Sequence, residues 1–292
     1  MAQGQPDVAL GEYEKSLLLR EHTQDEVGVM WTLVHMGVLH TSQHRPDEAE
    51  KAFERSLALA ESSYDQDTIS TILALRGQLE LDEGKVDAAL ASAARAAELA
   101  VSIEHFDTVA YARVVTGRAH QKAERAAEAR AAYEDAISAL GKVPLGPAAE
   151  TFFDNRRAPY LAMVDMLTAQ GKGAEAFLWS ERGRQQALAD MLGGDGAVVV
   201  KGLTAEERDQ ERTIARDLRT IAVKIRRERG RQKPDATRLA ALQADQSTRQ
   251  ADRDALRRRI YDAHPTLRAM RAQGEPNGPE AASVLGLSLI HI

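Results

Sequence analysis

Residues with the same character recur along the first 140 positions at one fixed spacing of 40. They form four columns, which hold a small residue, an aromatic residue, a second small residue and a glycine. These columns are Ala9, Ala49, Ala89 and Ala129; Tyr13, Phe53, Ala93 and Tyr133; Ser16, Ser56, Ala96 and Ala136; and Gly37, Gly77 and Gly117. Four independent columns with a single period indicate a repeat array.

The spacing inside each repeat predicts a helical hairpin. The small residue lies 12 positions after the glycine, the aromatic residue four later, and the second small residue three later. Offsets of three and four place residues on one helix face, and a glycine opposite an alanine lets two helices cross closely. Ala93, Arg76 and Thr116 depart from the pattern and predict looser packing in their units. The residues assigned to packing are Gly37, Ala49, Phe53, Gly77, Ala89, Gly117, Ala129 and Tyr133.

These columns resemble the tetratricopeptide repeat (TPR) family. The glycine of its first helix, and the alanine, aromatic residue and second small residue of its second helix, match Gly37, Ala49, Phe53 and Ser56. The usual unit has roughly 34 residues, and HEAT and armadillo repeats also approach 40, but the internal spacing favours the TPR type. The resemblance implies helical hairpins stacked in a right-handed superhelix.

The predicted fold is all-α, with a TPR-type superhelix of about 40-residue units followed by an antiparallel helical hairpin. Within the array, a first unit without its first helix precedes complete units at 24–62, 64–102 and 104–140. The predicted segments are an array at 1–142, a final TPR-like pair at 143–193, a linker at 194–202, a charged hairpin at 203–264 and a connector at 265–286.

Composition restricts the classes of function. The chain of 292 residues contains no cysteine, which excludes a disulfide scaffold, a thiolate metal site and a cysteine nucleophile among these residues. Residues 1–10 lack the pattern of a secretory signal, and no apolar run approaches the roughly 18 residues of a membrane span, so we expect a cytoplasmic protein without membrane contact. Residues 201–260 hold 17 Lys/Arg and 10 Asp/Glu, about +7, and with a net charge of −6 the remainder is about −13.

The second half resembles bacterial proteins in which TPR units precede a CHAT domain, a caspase-like cysteine peptidase. The motifs on which this resemblance rests are AFLWSERGRQQALADML at 176–192 and a pattern formed by Tyr261, Pro265, Leu267 and Arg268. The family's catalytic His and Cys lie on the CHAT domain, so no residue of this chain inherits those roles. The first unit contains only its second helix, which suggests an N-terminal truncation or an internal start codon. The last six residues, LSLIHI at 287–292, can be encoded by a sequencing-adapter sequence and are expected to be an artefact.

The groove lined by the first helices is the main candidate site, because TPR arrays bind peptides there. An aromatic residue together with Arg and Lys in the third complete unit suits an extended peptide with an acidic group or a free C-terminal carboxylate. Contact with the chain's own hairpin, or with a missing C-terminal domain, is an equal alternative. The candidates are Trp31, Val34, Val38, Thr71, Gln78, Tyr111, Arg118 and Lys122.

Other candidates favour structural roles. His40 and His44 have a spacing that suits zinc, but no third ligand follows by spacing. The basic run KIRRERGRQK at 224–233 could contact nucleic acid, yet it lacks interleaved aromatic residues, so a solvated hairpin tip is favoured and an acidic partner or acidic surface of the chain is a third option. Ser56, Ser180 and Trp179 are assigned to packing.

The expected function is protein–protein interaction, as the recognition and regulatory arm of a larger CHAT peptidase. We expect no catalytic residue, cofactor or metal in this chain, and nucleic acid is not the expected partner. The alternative is a stand-alone TPR adaptor or the sensor region of a transcriptional regulator.

Overall fold

The computed structural model describes residues 6–143, 156–193 and 204–263, and all regular structure in these ranges is α-helical. The chain divides into two compact units, one formed by Met1–Val143 with Arg226–Ala236 and the other by Pro144–Ile225 with Thr237–Ile292. The helices are α1 (Pro6–His22), α2 (Glu26–Ser42), α3 (Pro46–Ser62), α4 (Gln66–Asp82), α5 (Val86–Ser102), α6 (Phe106–Lys122), α7 (Ala126–Leu140), α8 (Ala158–Ala169), α9 (Gly173–Gly193), α10 (Ala205–Arg229) and α11 (Ala236–Ala263).

The first seven helices follow a step of 20 residues. They begin at residues 6, 26, 46, 66, 86, 106 and 126, and each of α1 to α6 is 17 residues long. Three residues separate each helix from the next. Two such steps make the 40-residue period of the sequence, so the predicted all-α repeat fold is confirmed.

Each three-residue turn has the same hydrogen-bonded form. The backbone N–H of its last residue donates to the carbonyl five positions back, as Arg45 does to His40 at 3.0 Å and Lys85 does to Glu80 at 2.8 Å. This is the Schellman arrangement, which needs a left-handed backbone at the middle residue. The middle residues have φ between 54° and 82°, and they are Gln24, His44, Tyr64, Gly84, Glu104 and Glu124.

Two of the glycines in the repeat face an aromatic ring across the hairpin. A Cβ added at Gly37 would lie 2.4 Å from the ring of Phe53, and one added at Gly117 would lie 2.3 Å from the ring of Tyr133. Both rings are fully buried. The Tyr133 hydroxyl keeps a polar partner, because it donates to Gln121 Oε1 at 2.9 Å. The missing side chain of each glycine therefore leaves the space that the ring fills.

The hairpin of α4 and α5 packs differently, because Ala93 replaces the aromatic residue. A Cβ added at Gly77 would meet backbone atoms, at 3.3 Å from the carbonyl oxygen of Ala89 and 3.4 Å from the nitrogen of Ala93. The expectation of looser packing is wrong for this pair, since the helices approach until their backbones nearly touch. Arg76, another departure from the pattern, forms an ion pair with Glu50 on α3.

In the second unit, α8 and α9 form a helix pair and α10 runs antiparallel to α11. Trp179 packs against Tyr160 with ring centroids 6.3 Å apart. Thr204 and Glu207 form a capping box at the start of α10, with the Glu207 N–H donating to Thr204 Oγ1 at 3.2 Å. The antiparallel pairing is carried by contacts between the two long helices. These join Arg249 Nε to Asp217 Oδ2 at 3.5 Å and Arg259 to Gln210.

Several sequence expectations fall outside the described residues. These are the linker at 194–202, the connector at 265–286 and the six final residues at 287–292. The Pro265, Leu267 and Arg268 positions of the second resemblance lie outside the described residues too.

Candidate functional site

The first helices of the hairpins, α2, α4 and α6, form one continuous layer, since α4 contacts both α2 and α6. We call the surface of this layer the first-helix face. It is the surface that the sequence assigns to peptide binding. The eight candidate residues fall into three groups by solvent exposure, which are buried, partly exposed and exposed.

Two candidates are closed to any ligand. Val34 and Thr71 have no exposed surface, because α2 and α4 are enclosed by neighbouring helices at these positions. The Thr71 hydroxyl donates to the Asp67 carbonyl in its own helix at 3.0 Å, so its polar group is already used. Burial of this kind is a packing role, and a bound peptide would not reach either side chain.

Four candidates are partly exposed and two are exposed. The partly exposed side chains are Trp31, Val38, Gln78 and Tyr111, and the exposed ones are Arg118 and Lys122. Trp31 lies beside His35, with ring centroids 6.4 Å apart, and His35 in turn stacks on Tyr13 of α1 at 5.7 Å.

A polar network joins the carboxyl-terminal halves of α4 and α6. Arg118 Nη1 donates to Gln78 Oε1 at 3.1 Å, and Gln78 Nε2 donates to Asp82 Oδ1 at 2.8 Å. Lys122 Nζ donates to the carbonyl of Leu81 at 2.9 Å. The structure therefore brings three of the predicted residues, Gln78, Arg118 and Lys122, to one end of the first-helix face. Both cations bond to neutral oxygens, and within the described residues neither forms an ion pair.

Tyr111 lies on the same face of α6, seven residues or about two helical turns before Arg118. Burial raises the pKa of Tyr111 to about 12, with Arg118 lowering it and Asp82 raising it as smaller contributions. The phenol therefore stays protonated at neutral pH. A protonated phenol can still donate a hydrogen bond to a carboxylate, which suits the expected acidic ligand.

The remaining candidates from the sequence take structural positions. His40 is buried, and His44 occupies a left-handed turn position at φ 57°. No group of three or more potential metal ligands comes together in the described parts of the chain. Ser56 is fully buried and its hydroxyl donates to the Met30 carbonyl at 2.9 Å. The Arg182 guanidinium lies 4.6 Å from the centroid of the buried Trp179 ring.

The basic run at the hairpin tip lies against acidic side chains of the repeat array. Arg226 Nε is 3.4 Å from Asp67 Oδ1, and Arg229 Nη1 is 2.6 Å from Glu104 Oε2. We call residues Arg226–Ala236 the tip segment, which belongs to the same compact unit as the array. The turn edge is the set of Asp67, Glu104 and His105, which lie at the beginnings of α4 and α6.

Asp67 is the centre of the turn edge. It is 4% exposed, and its Oδ1 lies 2.6 Å from His105 Nδ1. Burial alone would raise the pKa of the Asp67 carboxyl, but His105, followed by Arg226 and Arg227, outweighs it and holds the pKa below its usual value. Asp67 is therefore a buried carboxylate whose charged form is stabilised by its basic neighbours.

The tip segment is itself ordered by a buried acid. Glu228 is 2% exposed, and its carboxylate accepts a hydrogen bond from the backbone N–H of Asp235 at 3.0 Å. Arg231 Nη1 lies 3.3 Å from the other oxygen of Glu228. The N–H of Gly230 donates to the Arg226 carbonyl at 2.9 Å. These bonds close the turn after α10 and fix the positions of the arginines before it.

The sequence analysis did not single out any of the turn-edge residues. A signal was present, because His105 stands in the same 40-residue column as Asp25 and Asp65, which cap α2 and α4 by accepting N–H groups of Gly28 and Thr68. The opposite charges of residues 201–260 and of the remainder were a second signal. Neither signal identifies which acidic residues meet which basic ones.

No helix in the described ranges combines the length and apolar character that a membrane crossing needs.

Comparison with known proteins gives one match. Residues 1–62 match the family model of the tetratricopeptide repeat. Neither the curated proteins nor the solved structures gave a match. The matched residues include α1, α2 and α3, whose packing continues through α7 at the same step. The family match at residues 1–62 and the helical array together support the presence of tetratricopeptide repeats in this chain. Such repeats support a role as a protein–protein interaction module.

Proposed function

We propose that the first-helix face binds an extended peptide of a partner protein and recognises an acidic side chain or a free C-terminal carboxylate on it. The observation that carries this proposal is the pair of exposed cations, Arg118 and Lys122, on neighbouring turns of α6. Residues four apart lie on one face of a helix, so both can approach one anionic group.

The surroundings of these cations favour an anionic ligand. Their hydrogen bonds go to an amide oxygen and to a backbone carbonyl, which leave the positive charges uncompensated by a direct ion pair. Gln78 holds the Arg118 guanidinium in place, and ordering before binding reduces the entropic cost of association. A carboxylate could replace the Gln78 oxygen and gain a charge-assisted hydrogen bond, which is stronger than a neutral one.

Binding of peptide libraries to the full chain tests this proposal. We would measure fluorescence anisotropy of labelled peptides that end in a free carboxylate, and of the same peptides with an amidated C-terminus and no acidic residue. The proposal expects binding of the acidic or free-carboxylate set, with a loss of about tenfold or more for Lys122→Glu. Binding should also weaken as salt is added.

Lys51→Glu is the matched control. Lys51 is exposed on α3, a second helix of a hairpin, and its substitution makes the same change in net charge. Equal loss of binding for Lys51→Glu and Lys122→Glu would show that only net charge matters. Tight binding of the amidated, neutral peptides would also contradict the proposal.

We further propose that this module is the recognition arm of a larger cytoplasmic CHAT-domain peptidase. Support comes from the resemblance of residues 176–192, which form most of α9, and from the charged antiparallel hairpin that follows. The test is to sequence the source locus beyond the codon for Gly286. A frame that continues into a strand-rich domain with a His and a Cys supports this proposal, and a stop codon in the next few positions refutes it without affecting peptide binding by the array.

A further inference from the structure

The contact between the tip segment and the turn edge has the features of a binding site with its ligand in place. Arg226 and Arg229 are three residues apart near the end of α10, and they pair with acidic residues at the beginnings of α4 and α6, the first helices of two adjacent units. Asp67 follows the turn that begins α4, and Glu104 is the middle residue of the turn before α6. The two arginines of one helix end therefore reach acidic residues of two adjacent units.

Close packing accompanies the ion pairs. A Cβ added at Gly230 would lie 3.1 Å from the Cβ of Gln66, the first residue of α4. Gly230 is buried, and the Arg226 and Arg229 side chains are only 23% and 25% exposed. Glycine at this position allows the tip backbone to approach the array closely enough for the arginines to reach the carboxylates.

We propose that the turn edge is a second binding site of this array, selective for arginine-rich helix ends, and that the chain's own tip segment occupies it reversibly. The site is separate from the first-helix face and does not depend on the function proposed for that face. An arginine-rich segment of a partner protein would compete with the tip segment for the same carboxylates.

The chemistry of the turn edge explains the preference for arginine. Asp67 is a buried carboxylate that already has His105 at 2.6 Å, so an incoming cation must fit beside the imidazole. A planar guanidinium presents several N–H groups at its edge and is more weakly hydrated than an ammonium group, so it enters a partly buried ionic site at lower cost. Glu104 is 60% exposed and accepts the second guanidinium at the rim.

Reversibility follows from the balance of burial and charge. The tip segment is short, and although Asp67 is buried, the Arg226 and Arg229 side chains and Glu104 all keep some exposed surface. Partly exposed ion pairs weaken when salt screens them, and a competing cation can replace each of them. When the tip segment leaves, Asp67 still has His105 at 2.6 Å as a partner, because both residues belong to the array.

Disulfide trapping in the full chain tests the docking. The chain has no cysteine, so the double variant Gln66→Cys/Gly230→Cys carries the only two thiols. The 3.1 Å approach is within a few tenths of an ångström of the Cβ separation of a disulfide, about 3.5–4.5 Å. We expect a disulfide to form under mild oxidation, at a rate that falls about tenfold or more when Arg226→Glu and Arg229→Glu are added.

Two further variants separate the ionic contact from a change in net charge. Arg253→Glu with Arg258→Glu makes the same charge change on exposed positions of α11, and we expect the trapping rate to stay near that of the parent. The reversed pair, Arg229→Glu with Glu104→Arg, should recover trapping relative to Arg229→Glu alone. Equal rates for the tip variant and its α11 control, or no recovery by the reversed pair, would overturn the proposal.

A synthetic peptide with the sequence KIRRERGRQK, which is residues 224–233, tests binding by a separate segment. We expect an excess of this peptide to slow trapping, and the peptide with lysine in place of its arginines to slow it less. Equal competition by the arginine and lysine peptides would refute the preference for arginine. No competition by the arginine peptide at any concentration would refute the reversible site.

Discussion

The guanidinium of Arg229 lies 2.6 Å from the carboxylate of Glu104, across 125 positions of sequence. Glu104 is the middle residue of a left-handed turn, with φ 59°, and its side chain is exposed to solvent. One residue of the turn thus serves both the geometry of the repeat and the contact with the tip segment.

Loss of this ion pair should loosen the tip segment while leaving the array intact. We expect Glu104→Gln to speed hydrogen exchange at the Gly230 amide, with a change of less than about 1 kcal/mol in the free energy of global unfolding, because the pair is partly exposed. Glu124→Gln changes the equivalent residue in the next turn and should leave exchange at Gly230 unaltered. Faster exchange in both variants would contradict the specific role of Glu104.

Acid should weaken the fold through Asp67. Because its folded pKa lies below its usual value of 3.8, the carboxylate contributes stability that is fully present above about pH 5 and is lost as the pH falls through 3.8 toward the folded pKa. Asp67→Asn should lower the free energy of unfolding at pH 7 and show a smaller decline between pH 5 and pH 3. Asp87→Asn, at an exposed position in the first turn of α5, is the control. Parallel pH profiles for the wild type and Asp67→Asn would refute the prediction.

Ionisation of Tyr111 should weaken the fold at high pH. Its pKa is raised to about 12 from the usual 10, so its contribution is fully present below pH 10 and is lost as the pH rises toward 12. We expect Tyr111→Phe to reduce the decline of unfolding free energy between pH 10 and pH 12. Tyr64→Phe removes a hydroxyl from a half-exposed tyrosine and serves as the control. The absorbance of phenolate, followed in the same range, should show one late transition that is absent in Tyr111→Phe.

At the left-handed turn positions, replacing glycine by alanine should lower stability and introducing glycine should raise it. Gly84→Ala should destabilise the protein by about 1 kcal/mol, because alanine resists a φ of 82° although nothing packs within 3.9 Å of its added Cβ. Glu124→Gly places glycine at the matching position one 40-residue period later, and it should stabilise the protein by about 0.5–1 kcal/mol if backbone strain dominates. Urea unfolding measures both changes. A loss of stability in Glu124→Gly would indicate that its side chain matters more than its backbone.

The glycine and the ring of one hairpin should be energetically coupled. Gly117→Ala should cost about 1–3 kcal/mol, because the new methyl group overlaps the Tyr133 ring. Tyr133→Ala should cost about 3–5 kcal/mol through the cavity that it leaves. In the double variant the methyl group enters that cavity, so the total should be smaller than the sum of the single changes. Strict additivity would show that the ring and the glycine do not share this space.

Local spacing was sufficient to predict the hairpins, because the columns record which residues of two adjacent helices touch. The 20-residue step within the period was not visible, since the first and second helices carry different residues at equivalent positions. Ala93 shows why a departure from the pattern was misjudged. Its small side chain lets the helices move together, and a spacing rule cannot report that backbone movement.

Exposure and distant contacts were harder to predict from the sequence. Val34 and Thr71 share the helical face of accessible candidates, but the helices around α2 and α4 enclose them completely. The pairing of Arg226 with Asp67 joins residues 159 positions apart, and many arginines and acids could have formed it. The sequence favoured a solvated tip for the basic run and left an acidic surface of the chain as a third option. The fold supports the third option, since Arg226 and Arg229 meet Asp67 and Glu104.

The regular 20-residue step of α1 to α7 limits how such a gene can change length. Recombination between similar repeats would preserve the order of first and second helices when it adds or removes 40 residues, or a multiple of 40. A change of 20 would keep every helix and turn intact in length, but would put a second helix where a first helix belongs and expose its buried columns. Length variants that differ by whole hairpins are thus the ones that this architecture can tolerate.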